Sequence, residues 1–167
     1  MPIILITGGA RSGKSARAEA RTRAYAGRPV YIATAEALDG EMRERIARHR
    51  ARRGDEWLEH ETPLELVAAL AATDGGGARL VDCLTLWLSN LMHAERDWAK
   101  ETSALAEALA AQTSPVVLVT NEVGLGIVPN NALARAFCDA AGLMNQAIAR
   151  AADEVEFVVA GLAMRVK

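Results

Sequence analysis

Ile3-Ile-Leu-Ile-Thr-Gly-Gly-Ala-Arg-Ser-Gly-Lys-Ser15 runs an apolar segment into a glycine turn and then into helix formers. Ile3 to Thr7 has the length and β-branching of a buried strand. Gly8 to Ser15 fits the pattern G-x-x-x-x-G-K-S, and Lys14 to Ala26 continues as a helix. In this order the glycines let backbone N–H groups turn inward around phosphate oxygens, while the helix N-terminus adds a favourable dipole. The expected contacts are Gly8, Gly9, Ala10, Arg11, Ser12, Gly13, Lys14 and Ser15. Lys14 neutralises charge on the β- and γ-phosphates, and Ser15 ligates Mg²⁺.

Further strands read at Pro29 to Ala33, Arg79 to Asp82, Pro115 to Thr120 and Val155 to Ala160, with Met164 to Val166 pairing beside the last. Helices read at Leu38 to Arg53, Pro63 to Ala72, Leu84 to Ala94, Trp98 to Ala111 and Asn131 to Ala152. The strand runs are continuously apolar and alternate with helices. That pattern predicts right-handed crossovers and a mainly parallel sheet inside a three-layer α/β domain.

With 167 residues the chain is expected to form one domain, residues 1–167, since a domain takes about 150 residues. No internal repeat or Ser/Pro-rich linker interrupts it. The 51% hydrophobic share includes 34 alanines, which points to helices packed by small side chains. A net charge of −2 gives no global attraction to nucleic acid or anionic lipid. The longest uncharged run, Ala108 to Asn121, is 14 residues and falls short of the roughly 18 apolar residues of a membrane span. The N-terminus has no basic region before its apolar stretch, so a cytoplasmic location is expected. Cys83 and Cys138 have no metal-like spacing and read as reduced core thiols.

Asp82 ends an apolar strand, the setting for a second acidic group near a phosphate-bound metal; capping of the following helix suits its position equally. The segment Glu41 to Gly54 holds six arginines and His49. On a helix Arg45, His49, Arg52 and Arg53 share one face. Positive neighbours disfavour a protonated imidazole, leaving a ring nitrogen able to attack phosphorus; a bound triphosphate opposes that effect. A solvated basic helix with an incidental histidine explains the same pattern. The guanine signature N-K-x-D of regulatory GTPases is absent, since Thr120-Asn121-Glu122 lacks its lysine and aspartate.

Several blocks in one order resemble the bifunctional adenosylcobinamide kinase/adenosylcobinamide-phosphate guanylyltransferase family of cobalamin biosynthesis. They are Ile6 to Ser15, Tyr31-Ile-Ala-Thr-Ala35, Asp39 to Arg50 with Arg-Ile-x-x-His at 45 to 49, and Val119-Thr-Asn-Glu-Val-Gly-Leu-Gly-Ile-Val-Pro129. Ala134-Arg-x-Phe137, Gly142-x-x-Asn-Gln146 and Ala151-Ala-Asp-Glu-Val155 extend the likeness almost end to end. Segments before Trp57 and between Met92 and Pro115 look shorter than in familiar members.

The resemblance implies a RecA-like P-loop NTPase sheet, a homotrimer, and two reactions. ATP or GTP phosphorylates the aminopropanol hydroxyl of adenosylcobinamide. GTP then transfers GMP through a histidine, which falls on His49, to adenosylcobinamide phosphate, giving adenosylcobinamide-GDP. Carried over residue by residue, nucleotide contacts fall on Gly8 to Ser15, on Ala33, Thr34 and Ala35, on Arg50, Ala51, Arg52 and Arg53, and on Glu61 and Asp82. Mg²⁺ falls on Ser15 and Asp82, and catalysis on His49 and Lys14. A simple P-loop kinase using the basic helix as a phosphate clamp is the competing enzyme reading, and a nucleotide-dependent regulatory module the non-enzymatic one. Asn121 to Asn131 reads as an irregular loop after a core strand, forming a corrinoid site, a subunit contact or a mere connector.

Overall fold

The computed structural model describes residues 1–36 and 40–167, and at positions 41, 42, 45, 49 and 52 the backbone alone. The expected helix start at Leu38, the matched Asp39 and the side chains of Arg45, His49 and Arg52 lie outside the described residues.

Chain order is β1 (Ile3–Gly8), α1 (Lys14–Arg23), β2 (Val30–Ala33), α2 (Gly40–Arg53), β3 (Leu58–Glu61), α3 (Leu66–Ala72) and β4 (Arg79–Asp82). Then follow α4 (Leu84–His93), α5 (Trp98–Ala110), β5 (Val116–Val119), α6 (Ala132–Ala151), β6 (Glu154–Val159) and β7 (Leu162–Arg165). The strands form one sheet in the order β3-β2-β4-β5-β1-β6-β7. β1 to β6 are parallel, and β7 runs antiparallel to β6. The phosphate-loop strand β1 is therefore interior, flanked by β5 and β6.

The alternating faces of these buried strands build two apolar layers. Ile3, Leu5, Ile32 and Leu118 pack with Leu70, Trp87, Leu91, Leu105, Met144 and Ile148 from α3 to α6. Ile4, Ile6, Leu80 and Val119 face the other way, onto Ala18 of α1 and onto Trp57. The expected three-layer architecture follows from these two cores. Asp97 and Asn131 cap α5 and α6 by accepting backbone N–H bonds, as turn-forming polar residues do at helix starts.

Besides end shifts, with α1 stopping at Arg23 rather than Ala26 and β7 spanning Leu162–Arg165 rather than Met164 to Val166, two elements differ from expectation. β3 was not expected: Leu-Glu-His-Glu carries charge at every second position and lacks the apolar run of a buried strand. It forms at the sheet edge because β2 supplies its ladder, and because Arg50 and Arg53 satisfy Glu59. α3 begins at Leu66 rather than Pro63. The Pro63 and Leu64 carbonyls instead accept from Asn90 Nδ2 at 3.0 Å and Trp87 Nε1 at 2.9 Å of α4.

At the amino ends of the strands Arg79 is fully buried, its guanidinium bound to Asp74 and Gln112 at 2.5 Å each. Burial alone would raise the Asp74 carboxyl pKa. The Thr113 N–H and hydroxyl, Arg79 and the Ser114 N–H outweigh it and hold that pKa well below the usual carboxylate range. Asp74→Ala leaves a buried cation without its carboxylate and is expected to destabilise the fold by about 3–5 kcal/mol, read from urea unfolding. Because the folded-state pKa is depressed, the contribution of Asp74 is complete above its unfolded value of about 3.9 and is lost as pH falls through the folded value. An unfolding midpoint equal to the parent's would contradict this account.

Candidate functional site

The phosphate loop closes at the carboxyl end of β1. Arg11 and Gly13 take positive φ, 56° and 97°, and the Ser12 N–H donates to the Gly9 carbonyl at 3.3 Å. Gly8 is required by space, since an added Cβ would lie 2.5 Å from the Val158 carbonyl; Gly13 is favoured by its positive φ, and a Cβ there would press on Gly161 Cα at 3.2 Å. Both neighbours belong to the β6–β7 hairpin, whose Gly161 N–H donates to the Ser12 carbonyl at 2.8 Å. The C-terminal hairpin thus buttresses the loop from behind. Ala10 and Arg11 are exposed, Gly9 and Ser15 half-buried, and Lys14 is buried with Nζ donating to the Gly9 carbonyl at 3.0 Å. Arg17 and Arg21 pin α1 to β6 through Glu156, at 2.7 and 2.5 Å, which fixes the helix N-terminus against the sheet.

Asp82 ends β4, separated from β1 by β5. The residue opening α4 as its cap is Cys83, so Asp82 does not take the capping role. Its Oδ2 accepts the Tyr31 hydroxyl at 3.1 Å. Burial, then the Asp82 charge, push the Tyr31 phenol well above its ordinary pKa and keep it a donor. The same two causes push the buried Cys83 thiol up to about 11. Cys138 is only half-buried and is not a core residue.

Ala33 pairs with Asp82 on one side and Glu61 on the other, so three carried-over residues end adjacent strands. Thr34 is fully buried. Its hydroxyl donates to the Cys83 carbonyl and accepts the Cys83 N–H, both at 2.8 Å, and so holds the Asp82–Cys83 segment. Asn90 Nδ2 fixes the Thr34 carbonyl at 2.8 Å. Ala35 follows, half-buried.

The C-terminal half of α2 is anchored on the same face. Arg53 is buried, stacks 3.4 Å over the Tyr31 ring and pairs with Glu59 at 2.7 Å. Arg50 pairs with Glu59 and, at 3.3 Å, with Glu61; Ala51 is exposed. Arg50 first, then Arg53, hold the Glu59 carboxyl below its usual range. Glu59 engages only Nη2 of Arg53, whose buried Nε and Nη1 have no hydrogen-bond partner among the described residues. Arg23 stacks 5.2 Å over Trp57, which meets Tyr31 edge-on at 6.2 Å. Tyr31 therefore joins the basic helix to Asp82, a role that reading the sequence missed; its one signal was that Tyr31 opens a matched block.

The β5–α6 loop leaves the sheet beside β1. The Glu122 N–H donates to the Gly8 carbonyl at 3.1 Å. Thr85 accepts the Asn121 N–H at 2.8 Å, Asn145 donates to the Asn121 carbonyl at 3.3 Å, and the Thr120 hydroxyl donates to Asn145 at 2.8 Å. Beyond this clamp, Leu125, Ile127, Val128 and Leu133 project into solvent at 80%, 98%, 75% and 71% exposure.

A glycine loop closed on an interior parallel strand, with a lysine across it and an acid two strands away, defines a P-loop NTPase fold of the RecA-like type. Solved structures agree on the fold. The P4 protein of bacteriophage phi6 in complex with ADP superposes with TM-score 0.55 at 15% identity, covering 97% of this chain and 52% of that one. The flagellar accessory protein FlaH of Methanocaldococcus jannaschii gives 0.56 at 12%, covering 99% and 78%.

Within that class the chain belongs to the cobinamide kinase / cobinamide phosphate guanyltransferase family, whose sequence profile matches residues 4–166. It is 50% identical over 167 residues to the bifunctional adenosylcobalamin biosynthesis protein CobP of Pseudomonas aeruginosa, covering 98% of this chain and 96% of the relative. Against the bifunctional adenosylcobalamin biosynthesis protein CobU of Salmonella typhimurium it is 44% identical over 184 residues, covering 99% of both.

Proposed function

We propose that the chain carries both reactions of its family: phosphorylation of adenosylcobinamide by a nucleoside triphosphate, and transfer of GMP from GTP to adenosylcobinamide phosphate through a GMP–His49 intermediate. The observation that carries this reading is the complete phosphate loop standing at the same sheet end as Asp82, in a chain that spans its bifunctional relatives almost entirely. In the kinase step Lys14 and the loop amides stabilise charge on the γ-phosphate and leaving diphosphate. In the second reaction a neutral ring nitrogen of His49 attacks the α-phosphorus and the α–β bridging P–O bond breaks. Pyrophosphate leaves before the bulky corrinoid phosphate enters. A phosphate oxygen of that acceptor then attacks the same phosphorus and releases the imidazole. Two phosphorus atoms are presented at one site through two nucleotide poses.

Ser15 and Asp82 suit Mg²⁺ by donor chemistry, since both offer hard oxygens. Among the described residues no group of three or more His, Cys, Asp or Glu side chains converges as an all-protein cage. An ion here would be held by Ser15 and Asp82. When bound, it neutralises charge on the β- and γ-oxygens. Tyr31 holds one Asp82 oxygen by its hydroxyl, which restrains the carboxylate.

Nucleotide substrates and two unpaired thiols fit a cytoplasmic setting, and no described helix is long and apolar enough to cross a membrane. A homotrimer fits the apolar side chains displayed by the β5–α6 loop, because contiguous exposed patches of this kind mark interfaces or ligand grooves. Replacing Val123 and Leu125 with serine is expected to impair corrinoid use or trimer assembly, read by the KM for cobinamide and by light scattering. Full retention of both rejects a role for the loop. The central test is intact-protein mass spectrometry after incubation with GTP and Mg²⁺. One added GMP supports the intermediate, corrinoid-dependent nucleotide consumption without an adduct supports a simple kinase, and binding without consumption supports a regulatory module.

A further inference from the structure

A hydroxyl that attacks γ-phosphorus must give up its proton, and the carboxylates at this end of the sheet include Glu61, Asp82 and Glu122; Glu61 lies on the edge strand β3, paired with Arg50. Asp82 already accepts the Tyr31 hydroxyl, and β5 separates its strand from β1. Glu122 sits immediately beside β1, its N–H bound to the first residue of the phosphate loop. Its Oε1 accepts the Gly124 N–H at 2.7 Å, which fixes the side chain. The Thr85, Thr120 and Asn145 clamp holds the preceding residue rigidly, so the carboxylate is presented from a fixed backbone. Glu122 is half-buried, with water able to reach it, and an exposed apolar stretch follows it.

We propose that Glu122 is the general base of the kinase step, an assignment that rests on the kinase reading above. As the cobinamide hydroxyl oxygen bonds to the γ-phosphorus, the bond from that phosphorus to the β–γ bridging oxygen breaks. The nucleoside diphosphate leaves with the electron pair, and the hydroxyl proton passes to Glu122 and then to water. GMP transfer to an imidazole nitrogen has no hydroxyl to deprotonate and does not use this carboxylate.

The test uses the full chain and its Glu122→Gln variant, whose amide oxygen still accepts the Gly124 N–H. Expected for Glu122→Gln is a fall in phosphorylation kcat of about 10²-fold or more. The acid limb of its pH profile should vanish, while the KM for nucleotide and GMP-adduct formation stay within about threefold. Glu122→Asp should restore part of the rate and the acid limb. The assignment is overturned if Glu122→Gln keeps the parent's kcat and acid limb, or if Asp82→Asn removes that limb instead. It is equally overturned if Glu122→Gln lowers nucleotide binding and adduct formation as much as phosphorylation, since that marks a structural role. A parent chain that makes no cobinamide phosphate overturns the kinase reading itself. A parent that makes it beside an unaffected Glu122→Gln overturns this assignment alone.

Discussion

His49→Ala should take up no GMP from GTP, lose guanylyl transfer by at least about 10³-fold and keep cobinamide phosphorylation within about threefold. The asymmetry comes from where each reaction breaks its bond. Guanylyl transfer needs a nitrogen that becomes bonded to the α-phosphorus, and none of the arginines around position 49 can replace it, because a guanidinium stays protonated and has no lone pair to offer. Phosphorylation happens at the γ-phosphate, where Lys14 and the loop amides act. Arg50 and Arg53 keep their carboxylate and aromatic partners in this variant, so the helix anchor on β3 is undisturbed. An adduct that survives in His49→Ala, for instance on His60, would refute the assignment of the nucleophile.

Lys14→Ala is expected to cut phosphorylation kcat by about 10³-fold, the scale of removing one preplaced charge from a phosphoryl-transfer site. Lys14 is buried and its Nζ already lies across the loop at 3.0 Å from the Gly9 carbonyl, so little reorganisation is needed when phosphate arrives. Guanylyl transfer should fall as well, because the same ammonium neutralises charge on departing pyrophosphate. Arginine should not rescue it, since a planar guanidinium cannot occupy the space of a compact ammonium beneath a tight glycine turn. Circular dichroism and the urea midpoint report whether the variant stays folded. A folded Lys14→Ala that phosphorylates within about tenfold of the parent would contradict the role given to this lysine.

Much of the fold was legible because its strands are buried on both faces and therefore announce themselves as Ile-Ile-Leu-Ile, Leu-Val and Val-Val-Leu-Val. β3 was not, since an edge strand whose glutamates are neutralised by a helix has no apolar signature to read. The candidate site divides the same way. Lys14 and the loop glycines were legible as one contiguous motif. Tyr31 read as an apolar strand residue, Thr34 as a nucleotide contact, and Asn145 only as part of a matched block.

By itself the sequence determined the phosphate loop, the α/β alternation and the family. Each of these depends on residues adjacent in the chain, or on blocks recurring in order. Tertiary structure alone decided that Tyr31, 51 residues from Asp82, holds its carboxylate, that the C-terminal hairpin leaves no room for a side chain at Gly8, and that the Glu122 N–H lies against the phosphate loop. Parallel pairing brings distant strand ends together, and which ends become neighbours depends on the order of strands in the sheet, which no local run of residues encodes.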